Sequence, residues 1–194
     1  MAKNIIIYFD TSALVKEFQV GIGSDLVSKI SSTYRNDIQI ISSIWTINEI
    51  IAVMDKISQK INEKTGMFKL SNNDIKKIIS TIVERIRTIS NENTMFKFVY
   101  LDHNIITDSR ILTKDFHLSP ADAIHMFTGY VYDCNYFVAH DKHFINQFPF
   151  KKYARIKLID LTNENDRKLL KRIKLVILLL SSIFPSYNQE FLQY

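Results

Sequence analysis

Ile5-Ile6-Ile7-Tyr8-Phe9-Asp10-Thr11-Ser12-Ala13-Leu14-Val15-Lys16 is the stretch from which the rest of the chain is best read. Its first five residues are aliphatic or aromatic without a break, which suits a strand buried on both faces, as in a parallel sheet. Asp10 ends the run abruptly, and Thr11 and Ser12 carry the hydroxyls that commonly open a helix. A carboxylate at the carboxyl end of such a strand lies where doubly wound sheets form their ligand crevice.

Outward from this strand, apolar runs and helix-like periods alternate. Ile38 to Ser42 reads as a second strand, Phe96 to Leu101 as a third, Tyr136 to Ala139 as a fourth and Arg155 to Leu161 as a short fifth. Helices are expected at Ser12 to Phe18, Ser24 to Tyr34, Trp45 to Ile61, Asn73 to Ile89, Ile105 to Thr113 and Pro120 to Tyr132. Ile75, Ile78, Ile79, Ile82, Ile86 and Ile89 give the fourth of these its helical spacing, and Gly66 marks a turn before it. The pattern predicts an α/β fold with a short parallel sheet of four or five strands and crossover helices. Residues 1–161 then form the domain, and 162–194 a C-terminal helical extension packed on the domain or on a partner. That last helix should start at Thr162 and stop before Pro185, with Glu164 and Asp166 near its positive end. Leu175, Leu178 and Leu179 widen its apolar stripe, so it needs cover on more than one side.

Composition narrows the function classes. The 194 residues include only four glycines, and neither G-x-G-x-x-G nor a P-loop motif occurs, so a glycine-rich nucleotide cradle is not expected. One cysteine, Cys134, leaves no intrachain disulfide framework and no cysteine-rich zinc site, in keeping with a reducing cytoplasm. The apolar run Leu175 to Leu180 is far shorter than the roughly 20 residues of a membrane-spanning helix. No membrane association is expected, and the N-terminal run is too short for a signal-peptide core. The first 150 residues carry sixteen basic and sixteen acidic side chains, whereas residues 151–194 carry nine against four, which is the whole net charge of +5. A basic tail beside an acidic site can meet phosphates; a solvated helix face is the plainer alternative.

Four carboxylates stand out. Asp10 and Asp141 follow apolar runs, Glu49 sits in Ile44-Trp45-Thr46-Ile47-Asn48-Glu49-Ile50-Ile51, and Asp122 opens a helix in Ser119-Pro120-Ala121-Asp122-Ala123-Ile124. Each has an ordinary alternative: Asp10 and Asp141 as helix caps, Asp122 in a near capping box behind Ser119 and Pro120, and Glu49 as a surface glutamate. Together they suggest one acidic pocket, because Glu49 and Asp122 lie in apolar settings with no adjacent Lys or Arg to balance them. Oxygen-only ligation fits Mg²⁺ or Mn²⁺, and phosphodiester hydrolysis is the natural chemistry of such a site. Ser12 is placed to orient a water or a phosphate oxygen, or to cap the helix.

These residues resemble the PIN domain, and in particular the VapC-type toxin ribonucleases. The matching pieces are Tyr8-Phe9-Asp10-Thr11-Ser12-Ala13-Leu14-Val15-Lys16, Asn48-Glu49-Ile50, Ser119-Pro120-Ala121-Asp122-Ala123-Ile124-His125 and Val138-Ala139-His140-Asp141-Lys142-His143-Phe144, spanning about residues 5–160. The resemblance implies a three-layer α/β/α domain and Mg²⁺- or Mn²⁺-dependent cleavage of RNA, with Asp10, Glu49, Asp122 and Asp141 as the acidic quartet and Ser12 beside it. It further implies a homodimer restrained by an antitoxin protein. The chain differs in having Ala139 where the family often has Thr or Ser, and in its additional helix after the second strand's helix and its C-terminal helix.

Other signals point less directly. His125, His140 and His143 lie near the acids, but the hydrolysis needs no histidine base and the three are not counted in the site. Lys16 and Lys142 are candidates for phosphate contact or for plain surface solvation. A non-catalytic binding module and a housekeeping RNA-processing nuclease are the competing readings. An aspartyl phosphatase is disfavoured, since Ser12 replaces the second acid expected two positions after Asp10.

Overall fold

The computed structural model describes residues 5–17, 22–25, 27, 38–65, 96–147 and 155–172, with single residues and pairs of the stretch 71–88. Its centre is β1 (Ile5–Phe9), flanked by β2 (Ile38–Ser43) and β4 (Tyr136–Ala139); β3 (Phe96–Val99) and β5 (Lys157–Asp160) form the edges. All pairings are parallel, in the order β3-β2-β1-β4-β5. Ile7 lies opposite Ile40 on one side and Tyr136 on the other, so the central strand has neighbours along both of its edges.

Successive side chains of a strand point to opposite faces, and here both faces are covered. Ile7, Phe9, Ile40, Phe96, Val138 and Ile159 enter one core, with Leu14, Ile50 and Leu170 from helices on that side. Tyr8, Ile41, Phe137 and Leu158 enter the other, against Leu112, Met126 and Phe144. The unbroken apolar run of β1 follows from this two-sided burial. Three layers result: helices from residues 11–17, 45–65 and 164–172 on one face, and His103–Phe116, Pro120–Val131 and Lys142–Gln147 on the other.

The second core is strongly aromatic. Tyr8 stacks on Phe137 with ring centroids 4.9 Å apart, and Phe137 meets Phe144 at 5.1 Å. Gly129 lets the Pro120–Val131 helix approach this stack, since a Cβ there would lie 3.2 Å from the Phe137 ring. At the edges, Lys97 on β3 and Lys157 on β5 are exposed among buried neighbours.

The sheet expected from the sequence is present with five strands, although β3 and β5 are shorter than expected. The helix expected from Ile105 begins at His103, because Asp102 accepts a 2.8 Å bond from the Ile105 amide and caps it. The last helix begins after Asn163, not Thr162. The Asn163 side chain accepts from the Asn165 amide at 2.8 Å, whereas the Thr162 hydroxyl is engaged by Asp160. Leu161 and Leu170 are buried in the first core, so this helix packs on the sheet as far as it is described. Its end before Pro185 and the turn at Gly66 fall outside the described residues. The described residues of 73–88 are helical. Among the described residues, no helix is long and apolar enough to cross a membrane.

Cys134 is 1% exposed, and burial pushes its thiol up to about 12. A thiol needs to ionise and be reached before it reacts. Native protein at about pH 8 is expected to resist iodoacetamide, and denatured protein to be alkylated fully. Mass spectrometry before and after urea checks this, and rapid native labelling would contradict the placement of Cys134.

Candidate functional site

Strand order fixes where a site can form. The chain runs from β1 through β2 to β3 on one side and resumes with β4 and β5 on the other, so the carboxyl ends of β1 and β4 flank the switch point. Backbone and hydroxyl bonds hold those ends together. The Asp10 amide donates to the Val138 carbonyl at 3.0 Å, and the His140 amide donates to Ser12 Oγ at 2.8 Å. Ser12 Oγ donates to Asp10 Oδ2 at 2.6 Å, and the Ser12 amide to the same oxygen at 3.0 Å. Asp10, 5% exposed, therefore both caps the Thr11–Leu14 helix and faces the crevice. At the end of β2, buried Ser42 donates to the Phe9 carbonyl at 2.7 Å.

Asp122 arrives from the opposite layer. Ser119 is the N-cap of the Pro120–Val131 helix; its hydroxyl donates to Asp122 Oδ2 at 2.7 Å and accepts from the Asp122 amide at 3.2 Å. Burial raises the Asp122 pKa. The Ser119 bond opposes that rise, and the negative charges of Asp10 and Asp141 reinforce it. Asp141 follows β4 and caps the Lys142–Gln147 helix, accepting from the Phe144 amide at 3.4 Å. Three of the four acids expected from the sequence thus lie within electrostatic reach of one another.

Glu49 is held differently. It projects from the Trp45–Thr65 helix, and its Oε2 accepts hydrogen bonds from Thr11 Oγ1 and from His125 Nε2, the latter at 2.5 Å. His125 is 1% exposed, and its Nδ1 meets the Tyr8 hydroxyl at 2.7 Å. The Tyr8 oxygen in turn accepts from the Ser43 amide at 3.1 Å. Burial opposes charge on His125, but the Glu49 hydrogen bond and the charges of Asp10, Glu49 and Asp122 outweigh it and raise the pKa. Burial likewise disfavours the Glu49 charge, yet the bonds and charge of His125 with the bonds from Thr11 and Trp45 lower its pKa. Glu49 joins the other acids through this histidine. Among the described residues, no three His, Cys, Asp or Glu side chains stand close enough to hold an ion as they are.

Sequence reasoning did not count His125, Thr11 or Tyr8 in the site. The one local signal was the His125 position three residues after Asp122, on the same helix face. His140, left out with it, has its pKa lowered by burial first and then by the nearby Lys16 charge. Lys16 therefore lies near this rim, while Lys142 is exposed.

The paired shifts set a pH window. Glu49 adds stability above its unfolded pKa near 4.5 and loses it as pH falls through the lower folded value. His125 adds stability below its unfolded pKa near 6.5 and loses it as pH rises through the higher folded value. Both contributions operate between those limits. Glu49→Gln is expected to cost roughly 1.5–3 kcal/mol at about pH 5.5 and less at about pH 9, measured by urea denaturation in EDTA. Equal losses at both pH values would contradict the pairing.

No family model matches the chain, and no curated protein is significantly similar to it. Solved structures do resemble it. PAE2754 from Pyrobaculum aerophilum superposes with a TM-score of 0.51 at 15% identity, over 90% of this chain and 99% of that one. FitAcB from Neisseria gonorrhoeae gives a TM-score of 0.50 at 13% identity, over 81% and 99%. At such identity the likeness is one of fold. The five-stranded parallel sheet and its two helical layers are the fold that the chain shares with these two proteins.

Proposed function

We propose that the protein is a divalent-metal-dependent endoribonuclease that hydrolyses RNA phosphodiester bonds, acting as the toxin of a toxin–antitoxin pair. The observation that carries this reading is the placement of Asp10 and Asp141 at the carboxyl ends of β1 and β4 with Asp122 near them, where burial first, and then the charges of Asp10 and Asp141, raise the Asp122 pKa. Carboxylates that repel one another at a sheet's carboxyl edge are stabilised by a cation placed between them. The donors are all oxygen, which suits Mg²⁺ or Mn²⁺. Asp10, Asp122 and Asp141 would hold the ion with Glu49, their side chains closing on it from the positions described.

A cation bound there supplies Lewis acidity and a water of lowered pKa. The chain's own residues do the rest. Ser12 fixes the Asp10 carboxylate through two bonds to Oδ2, and Glu49 stays ionised because His125 and Thr11 offset its burial. Lys16, whose charge reaches His140, would meet an RNA phosphate on that side. Regulation by an antitoxin protein and assembly as a homodimer belong to the same reading.

With Mn²⁺ present, the wild-type protein is expected to cut single-stranded RNA, and Asp10→Asn to lower the rate by at least about 100-fold while keeping the fold by circular dichroism. Equal cutting by the variant would end the nuclease assignment. Asp122→Asn is expected to raise stability in EDTA at neutral pH by about 0.5 kcal/mol or less, since the repulsion is partly screened by solvent. A fall in the melting temperature would argue against mutual repulsion.

A second reading, a non-catalytic RNA- or protein-binding module, is favoured by Ala139 and by the basic residues after 150. It predicts RNA retention without turnover in the same assay.

A further inference from the structure

The chain Ser43–Tyr8–His125–Glu49, with Thr11 beside it, takes part in no proton transfer of the proposed reaction, yet it is largely buried and built from five separate elements. Tyr8 comes from β1, Ser43 from the end of β2, Glu49 from the Trp45–Thr65 helix, His125 from the Pro120–Val131 helix and Thr11 from the helix after β1. Tyr8 is 0% exposed and His125 1%, so neither bonds to bulk water. A phenol sealed from water in this way keeps its proton at neutral pH.

Donor and acceptor roles follow from that proton. The Tyr8 oxygen accepts the Ser43 amide hydrogen at 3.1 Å, which leaves its own hydrogen for His125 Nδ1 at 2.7 Å. Above its raised pKa the ring is neutral, and a neutral imidazole that accepts at Nδ1 carries its hydrogen on Nε2, which points at Glu49 Oε2; the charged ring below that pKa also carries a hydrogen there. Thr11 Oγ1 approaches the same oxygen. Two donors thus converge on one carboxylate oxygen and fix the plane of the other. The opposite tautomer would turn an Nε2 lone pair toward the carboxylate.

We infer that His125 is a positioning residue for Glu49, with its tautomer set by the Tyr8 hydroxyl, so that Tyr8 and Thr11 tune cation affinity without touching the cation. The inference rests on the metal reading proposed above for Glu49. Hydrogen-bond partners one shell away from a metal ligand are typically worth about 10- to 100-fold in affinity. No residue of the site loses its charge when the Tyr8 hydroxyl alone is removed.

The test uses the full chain and two variants, Tyr8→Phe and Thr11→Val, each assayed well below its own melting temperature. Mn²⁺ affinity is measured by titration calorimetry at about pH 9, and ¹⁵N spectra of the histidine rings at the same pH report the tautomer in metal-free protein. The expected result is at least about 10-fold weaker Mn²⁺ binding in each folded variant, and loss of the pure Nε2–H signature in Tyr8→Phe. Wild-type Mn²⁺ affinity in the folded variants overturns the inference. If Tyr8→Phe does not fold, Thr11→Val decides. If the wild type binds no Mn²⁺, the metal reading of Glu49 fails and the inference falls with it, while the ring spectra still show separately whether Tyr8 sets the tautomer.

Discussion

Side-by-side parallel pairing of β1 and β4 governs the geometry of everything at the crevice. The two strands are brought together from opposite halves of the chain, and their register sets Phe9 beside Val138. Asp10 follows one residue after Phe9 and His140 two after Val138, and the Ser12 hydroxyl bridges them. A one-residue slip would turn Tyr8 and Phe137 out of their shared core and separate the carboxylates at once. The fully buried side chains of the central strand oppose such a slip.

Around that pairing, Ser42, Ser43, Thr46, Tyr8 and His125 are buried as satisfied sets. A lone imidazole or carboxylate in such surroundings would be destabilising, but here each finds a partner from a different element. Ser42 bonds the Phe9 carbonyl and Thr46, and Tyr8 bonds both Ser43 and His125. These bonds specify which helix lies over which strand. Apolar packing, being non-directional, leaves that choice open.

What the sequence disclosed depended on how local the determining physics was. The strands were legible because two-sided burial imposes long apolar runs, and Asp10 and Asp141 were legible because they end such runs. Capping of the Pro120–Val131 helix was equally clear, since Ser119, Pro120 and Asp122 lie within one turn. The partner of Glu49 was not. An acid without a nearby Lys or Arg suggested a cation alone, whereas a histidine 76 residues away already shares its charge. The start of the last helix was missed by one residue because Thr162 and Asn163 are both capable caps. The competing bond that the Thr162 hydroxyl donates to Asp160 decided between them, and no sequence spacing reveals it.

The sheet ends in two short edges, β3 and β5, each four residues long and each carrying one outward lysine, Lys97 or Lys157. An unpaired edge offers its amides and carbonyls to any passing extended chain. A like charge on each edge makes two molecules repel as they approach in that manner, and four residues give a newcomer little to zip onto. Among the described residues, these two edges therefore disfavour edge-to-edge pairing between copies of this chain.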